Sequence, residues 1–155
     1  MGFVVVRLYV FCCVSLLVAF VLVEPFEAEA DVRLYGNWCG PGTSINSPPP
    51  VDPLDDACMR HDMCYSATGT ISCACDVKFM NELRAMTYPN PEVEASARAM
   101  YDAMAMTPCN DPTGWALKQS LMWSDIATDA LSGRASPFDV PARWLHLFSR
   151  NAPEY

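Results

Sequence analysis

Basic residues are scarce in this sequence, and so are features of low complexity. Only 10 lysines and arginines stand against 18 acidic residues among 155 positions, and the formal net charge is −8. The chain contains no run of like charges, no low-complexity tract and no internal repeat. A nucleic-acid partner is therefore not expected, because nucleic-acid-binding domains carry basic patches. Strong electrostatic capture by an anionic membrane is also disfavoured, so we expect any lipid contact to use aromatic and aliphatic side chains.

The first twenty-three positions carry a single charge. Arg7 precedes an apolar run from Leu8 to Val23, and a polar stretch then ends in the small residues 28–30. This pattern predicts a secretory signal peptide over residues 1–30 that is cleaved near Ala30, leaving residues 31–155 as a single domain. The alternative is an uncleaved membrane anchor, although the run is short for a spanning helix of about 20 residues. Cleavage removes Arg7 and three glutamates and leaves 9 basic and 15 acidic residues, a charge of −6.

Cysteine is abundant, and most of it lies in the predicted mature chain. Two of the eight cysteines fall within residues 1–30, and six remain. These six are Cys39, Cys58, Cys64, Cys73, Cys75 and Cys109. In a short secreted domain, six cysteines indicate three disulfides with fifteen possible pairings. A zinc site is the alternative, but "CAC" at 73–75 lacks the two-residue spacer of zinc knuckles, and secretion favours disulfides.

A helix is predicted to begin at Pro53, after a loop rich in glycine and proline at 31–50. Asp52 is a suitable N-cap, and proline fits the first helical position. One face of this helix would carry six residues at helical spacing: Leu54, Ala57, Cys58, His61, Cys64 and Tyr65. His61 should therefore point inward with the cysteines.

A second helix is predicted after a break at 67–70, with Ser72 as a possible cap. Its buried face would carry Asp76, Phe79, Met80, Leu83 and Met86. The short connection indicates antiparallel neighbours. His61 and Asp76 lie equally far from the midpoint of the turn, so they should face each other at the same height.

Further helices are expected at about Pro91–Met106 and Thr113–Leu131. The later one would place these residues on one side: Trp115, Gln119, Met122, Trp123 and Ile126. Residues 136–155 form a proline-interrupted, aromatic-rich tail, in which we assign His146 no catalytic role. The apolar tail residues Trp144, Leu145, Leu147 and Phe148 would either insert at a lipid interface or pack onto the helical core.

Three motifs in order resemble the secreted phospholipase A2 superfamily: "YGNWCGPG", then "PVDPLDDACMRHDMCY", then "CACD". The resemblance covers roughly residues 35–86 and is closest to the insect-venom type, called group III. It implies a mostly α, disulfide-stapled fold. In this fold a glycine-rich calcium-binding loop precedes two antiparallel active-site helices, and one or two further helices follow.

The resemblance also implies a calcium site. The carbonyls of Trp38, Gly40 and Gly42 and the carboxylate of Asp62 would be the protein ligands. Calcium takes six to eight oxygen ligands, and glycines allow the chain to curl so that backbone carbonyls supply them.

The implied reaction is hydrolysis of the sn-2 ester of glycerophospholipids at a membrane or micelle surface. His61 would be the general base on water, and Asp76 would orient its ring. Tyr65 would hydrogen-bond the Asp76 carboxylate, and the Gly40 N–H would contact the oxyanion.

The family pattern further implies the disulfides Cys39–Cys58, Cys64–Cys75 and Cys73–Cys109. The family also usually carries a cysteine at the position of Ala57, whose partner in the insect-venom type falls at Glu82. Both are replaced here, which is consistent with the loss of one whole staple.

Two other functions compete with the enzyme. A catalytically silent phospholipase-like module would bind lipid or protein, and an unrelated cysteine-stapled protein would have no calcium dependence. Silent modules typically lose the histidine, the calcium aspartate or the loop glycines, and all of these are present. No feature of the sequence indicates an oligomeric state.

Overall fold

The computed structural model describes residues 32–42, 46–69 and 71–150. Within them the chain forms five α-helices and no strand beyond an isolated bridge between Tyr35 and Cys39. The predicted signal peptide lies outside the described residues and stays a prediction. No helix of the described part is both long and apolar enough to cross a membrane.

The first helix, α1, spans Pro53–Thr68 and begins as its sequence predicts. The side chain of Asp52 accepts a hydrogen bond from the N–H of Asp55 at 2.9 Å, and proline occupies the first helical position. The helix ends at Gly69, whose left-handed φ of 66° suits a residue without a Cβ.

The second helix, α2, spans Cys73–Ala85 and returns along α1. The Cys64–Cys75 disulfide joins the two helices. His61 also pairs with Asp76. From this pair to the disulfide, residue numbers rise along α1 and fall along α2, so the two helices are antiparallel. Ser72 occupies the N-cap position, but its side chain makes no capping hydrogen bond.

A polar link also joins α1 and α2. The guanidinium of Arg60 pairs with the carboxylates of Asp56 and Glu82, so that Glu82, one of the two positions where the resemblance implied a lost disulfide, contacts α1 through an ion pair. This surface pair is expected to contribute little stability compared with a disulfide.

Helices α3, Pro91–Met106, and α4, Pro112–Leu131, complete the packing around α2. Both begin at a proline after a side-chain cap, from Asn90 and Asp111 respectively. The Cys73–Cys109 disulfide ties the start of α2 to the connection between α3 and α4.

A fifth helix, α5, spans Asp139–Arg150. In the described part of the chain three helices therefore follow the active-site pair, where one or two were expected. The sequence predicts that the prolines of the tail interrupt it. Pro141, however, falls in the first helical turn, where a missing N–H removes no intrahelical hydrogen bond. The helix lies against α3, and Arg143 donates two hydrogen bonds to the buried carboxylate of Asp102.

The core is built from apolar residues of the loop and of the first four helices. Its buried members include Trp38, Leu54, Ala57, Phe79, Met80, Leu83, Ala97, Met100, Tyr101, Ala105 and Met122. Of the residues predicted to share one side of α4, Met122 is buried, whereas Trp115 and Trp123 are exposed. Lys118, which was not in that set, is fully buried.

Candidate active site

His61 and Asp76 form a buried hydrogen-bonded pair across α1 and α2. Nε2 of His61 lies 3.0 Å from Oδ1 of Asp76. Asp76 is fully buried, and 8% of His61 is exposed. Packing therefore leaves the imidazole only a small accessible edge, and one of its two nitrogens is occupied by a carboxylate.

Two aromatic rings fix the position of the His61 imidazole. The ring of Tyr65, one turn along α1, lies with its centroid 4.3 Å from that of His61, and the ring of Phe79 lies at 4.9 Å. The hydroxyl of Tyr65 donates to Oδ1 of Asp76, the oxygen that also faces His61. The structure thus brings together the three residues for which the resemblance implied the roles of base, orienting acid and supporting tyrosine.

Lys118 is a fourth member of this cluster that the sequence did not reveal. Its fully buried ammonium group donates to Oδ2 of Asp76 and, at 2.7 Å, to the carbonyl of Thr107. It shares a helical face with Met122, four residues on, and this spacing is a signal that would have indicated burial.

These contacts shift the pKa values of the cluster. Burial lowers the pKa of His61, but the nearby carboxylates of Asp62 and Asp76 outweigh it, so that pKa is raised from 6.5. Burial raises the pKa of Asp76, but hydrogen bonds from His61, Lys118 and Tyr65 outweigh it, so that pKa is lowered from 3.8. Burial and the bond to Asp76 raise the pKa of Tyr65. Asp76 is therefore an anion and Tyr65 a donor at neutral pH.

Asp62 follows His61 on α1 and approaches the other side of the ring. Its Oδ1 lies 3.9 Å from Nδ1 of His61, beyond hydrogen-bond distance but within reach of its charge. The two ring nitrogens thus face different carboxylates.

The loop that precedes α1 curls tightly at glycines. Gly40 has φ 149° and Gly42 has φ 88°, in the region that favours glycine. A Cβ on Gly40 would lie 1.9 Å from the carbonyl oxygen of Val32, so the chain passes too close for any side chain. The Cys39–Cys58 disulfide ties this loop to α1, and it is one of the three pairs that the resemblance implied.

Asp55 anchors the loop from below, a role that the sequence did not reveal. Its fully buried carboxylate accepts hydrogen bonds from the backbone N–H groups of Asn37, Trp38 and Val51 at 2.8–3.1 Å. A Cβ on Gly36 would lie 2.3 Å from this carboxylate. The sequence indicated only that Asp55 places a favourable charge in the first turn of α1. A glycine-rich loop, whose backbone N–H groups need acceptors, directly precedes this helix, and that would have been the further clue.

The donor set fits a calcium ion. The positive φ values of Gly40 and Gly42 curl the loop tightly, a shape that suits ligation by backbone carbonyls, and Asp62 supplies a carboxylate. The described residues contain no cluster of three or more His, Cys, Asp or Glu side chains suited to a metal. A site made mostly of backbone carbonyls does not need such a cluster.

A separate cavity of about 370 Å³ opens where α2 ends and α3, α4 and α5 meet. Its lining includes Arg84, Arg98, Asp102, Asp125 and Arg143. None of the residues at the His61 cluster borders it, and a much smaller space of about 10 Å³ touches His61 and Phe79. The candidate site is therefore the His61 cluster and not the larger cavity.

Comparison with known proteins places these residues in a family. The model of the phospholipase A2 family matches residues 18–113. Probable phospholipase A2 homolog 1 of Oryza sativa subsp. japonica is 41% identical over 51 residues, which is 32% of this chain and 37% of the relative. No solved structure matches the chain.

Two snake proteins are similar over the same order of length. Acidic phospholipase A2 E of Naja oxiana is 44% identical over 48 residues, 31% of this chain and 38% of that protein. The acidic phospholipase A2 homolog taipoxin gamma chain of Oxyuranus scutellatus scutellatus is 49% identical over 38 residues, 24% and 23% of the two chains. The matches thus span less than two fifths of each relative. The insect-venom subtype stays a prediction, but the family match covers most of this sequence: the chain belongs to the phospholipase A2 family.

Proposed function

We propose that this protein is a secreted, calcium-dependent phospholipase A2 that hydrolyses the sn-2 ester of glycerophospholipids to lysophospholipid and free fatty acid. The observation that carries the proposal is the His61–Asp76 pair, held at 3.0 Å, with the carboxylate of Asp62 near the other ring nitrogen and the glycine-rich loop tied to the same helix by Cys39–Cys58. A buried base and its orienting acid suit hydrolysis by an activated water.

His61 would accept the proton of the attacking water at Nδ1. Asp76 is an anion, so Nε2 carries the proton that it donates to Oδ1, and Nδ1 is left as the acceptor. The tilted rings of Tyr65 and Phe79 hold the imidazole in this orientation. The same nitrogen would return the proton to the leaving alcohol as the ester bond breaks.

The carbonyls of Trp38, Gly40 and Gly42 and the carboxylate of Asp62 would hold the calcium ion. When bound, calcium supplies Lewis-acid polarisation of the ester carbonyl. The backbone N–H of Gly40 is the proposed second donor to the oxyanion, a contact worth about 3 kcal/mol in comparable sites. The buried Asp55 carboxylate supports this role because it fixes the backbone of the same loop.

The substrate would be presented in a membrane or micelle. The exposed apolar side chains Phe138 and Leu145, at 87% and 72% exposure, are available on and just before α5 to enter an apolar surface. Contact with a zwitterionic surface suits a chain that has few basic residues.

The test uses the purified, disulfide-bonded protein and vesicles of phosphatidylcholine with palmitate at sn-1 and oleate at sn-2. Mass spectrometry then identifies the released acid and the remaining lysolipid. We expect oleate and the palmitoyl lysolipid in calcium, and at least a hundredfold slower release when EGTA removes the ion. Equal rates in calcium and EGTA would contradict the proposal, and complete absence of release would favour the silent lipid- or protein-binding module.

Secretion has its own test. The full-length chain is expressed in eukaryotic cells, and protein from the medium is sequenced from its N-terminus. We expect a first residue near Asp31. Recovery of the protein only in membranes, with residues 1–30 intact, would favour the uncleaved anchor.

A further inference from the structure

Lys118 is a buried cation for which the hydrolysis described above has no use. It lies on α4 and is fully buried, with its Nζ bonded to Oδ2 of Asp76 and to the carbonyl of Thr107. Apolar side chains of similar size often stabilise a core as well as a buried ion pair does. Stability alone therefore does not require an ammonium group at this position.

The contacts of Asp76 are divided between its two oxygens. Oδ1 accepts from Nε2 of His61 and from the hydroxyl of Tyr65, both on α1. Oδ2 accepts from Lys118, on α4. Each oxygen of the carboxylate is thus held by a different helix, and both of these helices pack against α2.

This division bears on orientation. The terminal torsion of an aspartate is broad, so a carboxylate bonded through one oxygen can turn and offer its partner a poorer angle. Donors on both oxygens fix its plane. The ammonium is itself fixed, because the carbonyl of Thr107, the residue that caps α3, accepts a second hydrogen bond at 2.7 Å.

We propose that Lys118 is a positioning residue for the hydrolysis: it holds Oδ2 of Asp76 so that Oδ1 faces Nε2 of His61 and keeps the proton on that nitrogen. Nδ1 is then the proton acceptor in every molecule. This inference rests on the proposed function of His61 as the base, and it adds α4 to the elements that shape the site.

The test replaces Lys118 with methionine, which fills a similar volume without donors or charge. Two readouts are measured: kcat and KM on phosphatidylcholine in calcium, and the ring tautomer of His61 by nitrogen-15 NMR. The chain has two histidines. The resonances that disappear in His146→Gln belong to His146, so the resonances that remain belong to His61. We expect kcat to fall about 100-fold with KM within about twofold, and a mixture of tautomers to replace the Nε2–H form.

Arg84→Met is the matched control. Arg84 makes another ion pair between α2 and α4, with Asp125 at 2.9 Å, and it does not touch Asp76. We expect its kcat to stay within about twofold of the wild type and its tautomer to be unchanged. A loss as large as that of Lys118→Met would show that any α2–α4 ion pair has the same effect, which would overturn the proposal.

Folded Lys118→Met with wild-type kcat, or with the Nε2–H tautomer intact, also overturns the proposal. Failure of the proposed function is separately visible. If the wild-type protein releases no fatty acid, the enzyme reading falls, and the tautomer comparison alone decides whether Lys118 positions the ring.

A second comparison covers the case in which Lys118→Met does not fold because it leaves the Asp76 carboxylate unpaired. The double variant Asp76→Asn/Lys118→Met has neither charge and is compared with Asp76→Asn. Because Lys118 is proposed to act only through the carboxylate, the two should have the same kcat within about twofold. A further tenfold loss in the double variant would overturn the proposal.

Discussion

Nε2 of His61 lies 3.0 Å from Oδ1 of Asp76, although the two residues belong to different helices and are 15 positions apart. The Cys64–Cys75 disulfide joins the same two helices three residues farther along α1. A covalent bond and a hydrogen bond therefore specify one register of α1 against α2. The geometry of the candidate base is set by packed helices, which hold a site more rigidly than loops do.

Asp55→Asn is expected to loosen the glycine-rich loop. The amide would turn a donor toward one of the backbone N–H groups of Trp38 and Val51, which the buried carboxylate now accepts. We expect a loss of about 3 kcal/mol in the free energy of unfolding and at least tenfold weaker calcium binding. Urea unfolding and calcium titration measure these two losses.

Asp56→Asn is the control. Asp56 is part-exposed and pairs at the surface with Arg60, so this substitution should lower the free energy of unfolding by about 1 kcal/mol or less. Equal effects of the two variants would contradict the anchoring role.

Gly40→Ala tests the curl of the loop itself. The added Cβ meets the carbonyl oxygen of Val32, and the backbone φ of 149° disfavours any side chain. We expect calcium binding to weaken at least tenfold and phospholipid hydrolysis to fall with it. Gly69→Ala is matched in having a positive φ, but nothing lies within 4 Å of its Cβ, so it should cost about 1 kcal/mol without changing calcium affinity. Unchanged calcium affinity in Gly40→Ala would remove this loop from the site.

The stability of the protein should fall in acid partly through Asp76. Its pKa is lower in the folded chain than its ordinary value of 3.8, because the hydrogen bonds from His61, Lys118 and Tyr65 outweigh burial. The unfolded chain therefore binds this proton first as pH falls. The stability contributed by the carboxylate is present above about pH 4 and is lost as pH falls through the lowered pKa.

Urea unfolding between pH 7 and pH 2 checks this linkage. The double variant Asp76→Asn/Lys118→Met lacks the titrating group, so its free energy of unfolding should decline less steeply in acid than that of the wild type. Identical acid limbs in the two proteins would show that Asp76 does not contribute.

Exposed apolar residues at the start of the tail should govern binding to lipid. The double variant Phe138→Asp/Leu145→Asp is expected to reduce partition onto phosphatidylcholine vesicles about tenfold, since it puts two charges where apolar area would be buried. Sedimentation of the vesicles measures this. Hydrolysis of a short-chain phospholipid dispersed as monomers serves as the control and should be unchanged. An equal loss on both substrates would indicate damage to the fold instead.

Helix positions and the central pair could be predicted because they depend on local signals. Asp52 and Pro53 mark the start of α1, and the short turn places His61 opposite Asp76. The predicted range of α3 agrees with the structure. These features need only capping preferences, helical periodicity and one antiparallel turn.

The roles of Asp55 and Lys118 could not be predicted in the same way, because both depend on contacts between distant segments. In the sequence, Asp55 is only a charge that favours the start of α1. Its role in the loop becomes visible only in the fold, where its carboxylate accepts hydrogen bonds from the N–H groups of residues 37–38. In the sequence, Lys118 is a single lysine that lies outside the set of residues predicted to share one side of α4. Only the packing of α4 against α2 brings its ammonium to Asp76, 42 positions away.

The most direct measurement of the central claim compares wild-type protein with His61→Gln on phosphatidylcholine vesicles in calcium. A positioned general base contributes about 10²–10⁴-fold to a rate. We predict that His61→Gln keeps its three disulfides and its calcium affinity but releases oleate at least a hundredfold more slowly. Release at the wild-type rate by folded His61→Gln would contradict the assignment of His61 as the base.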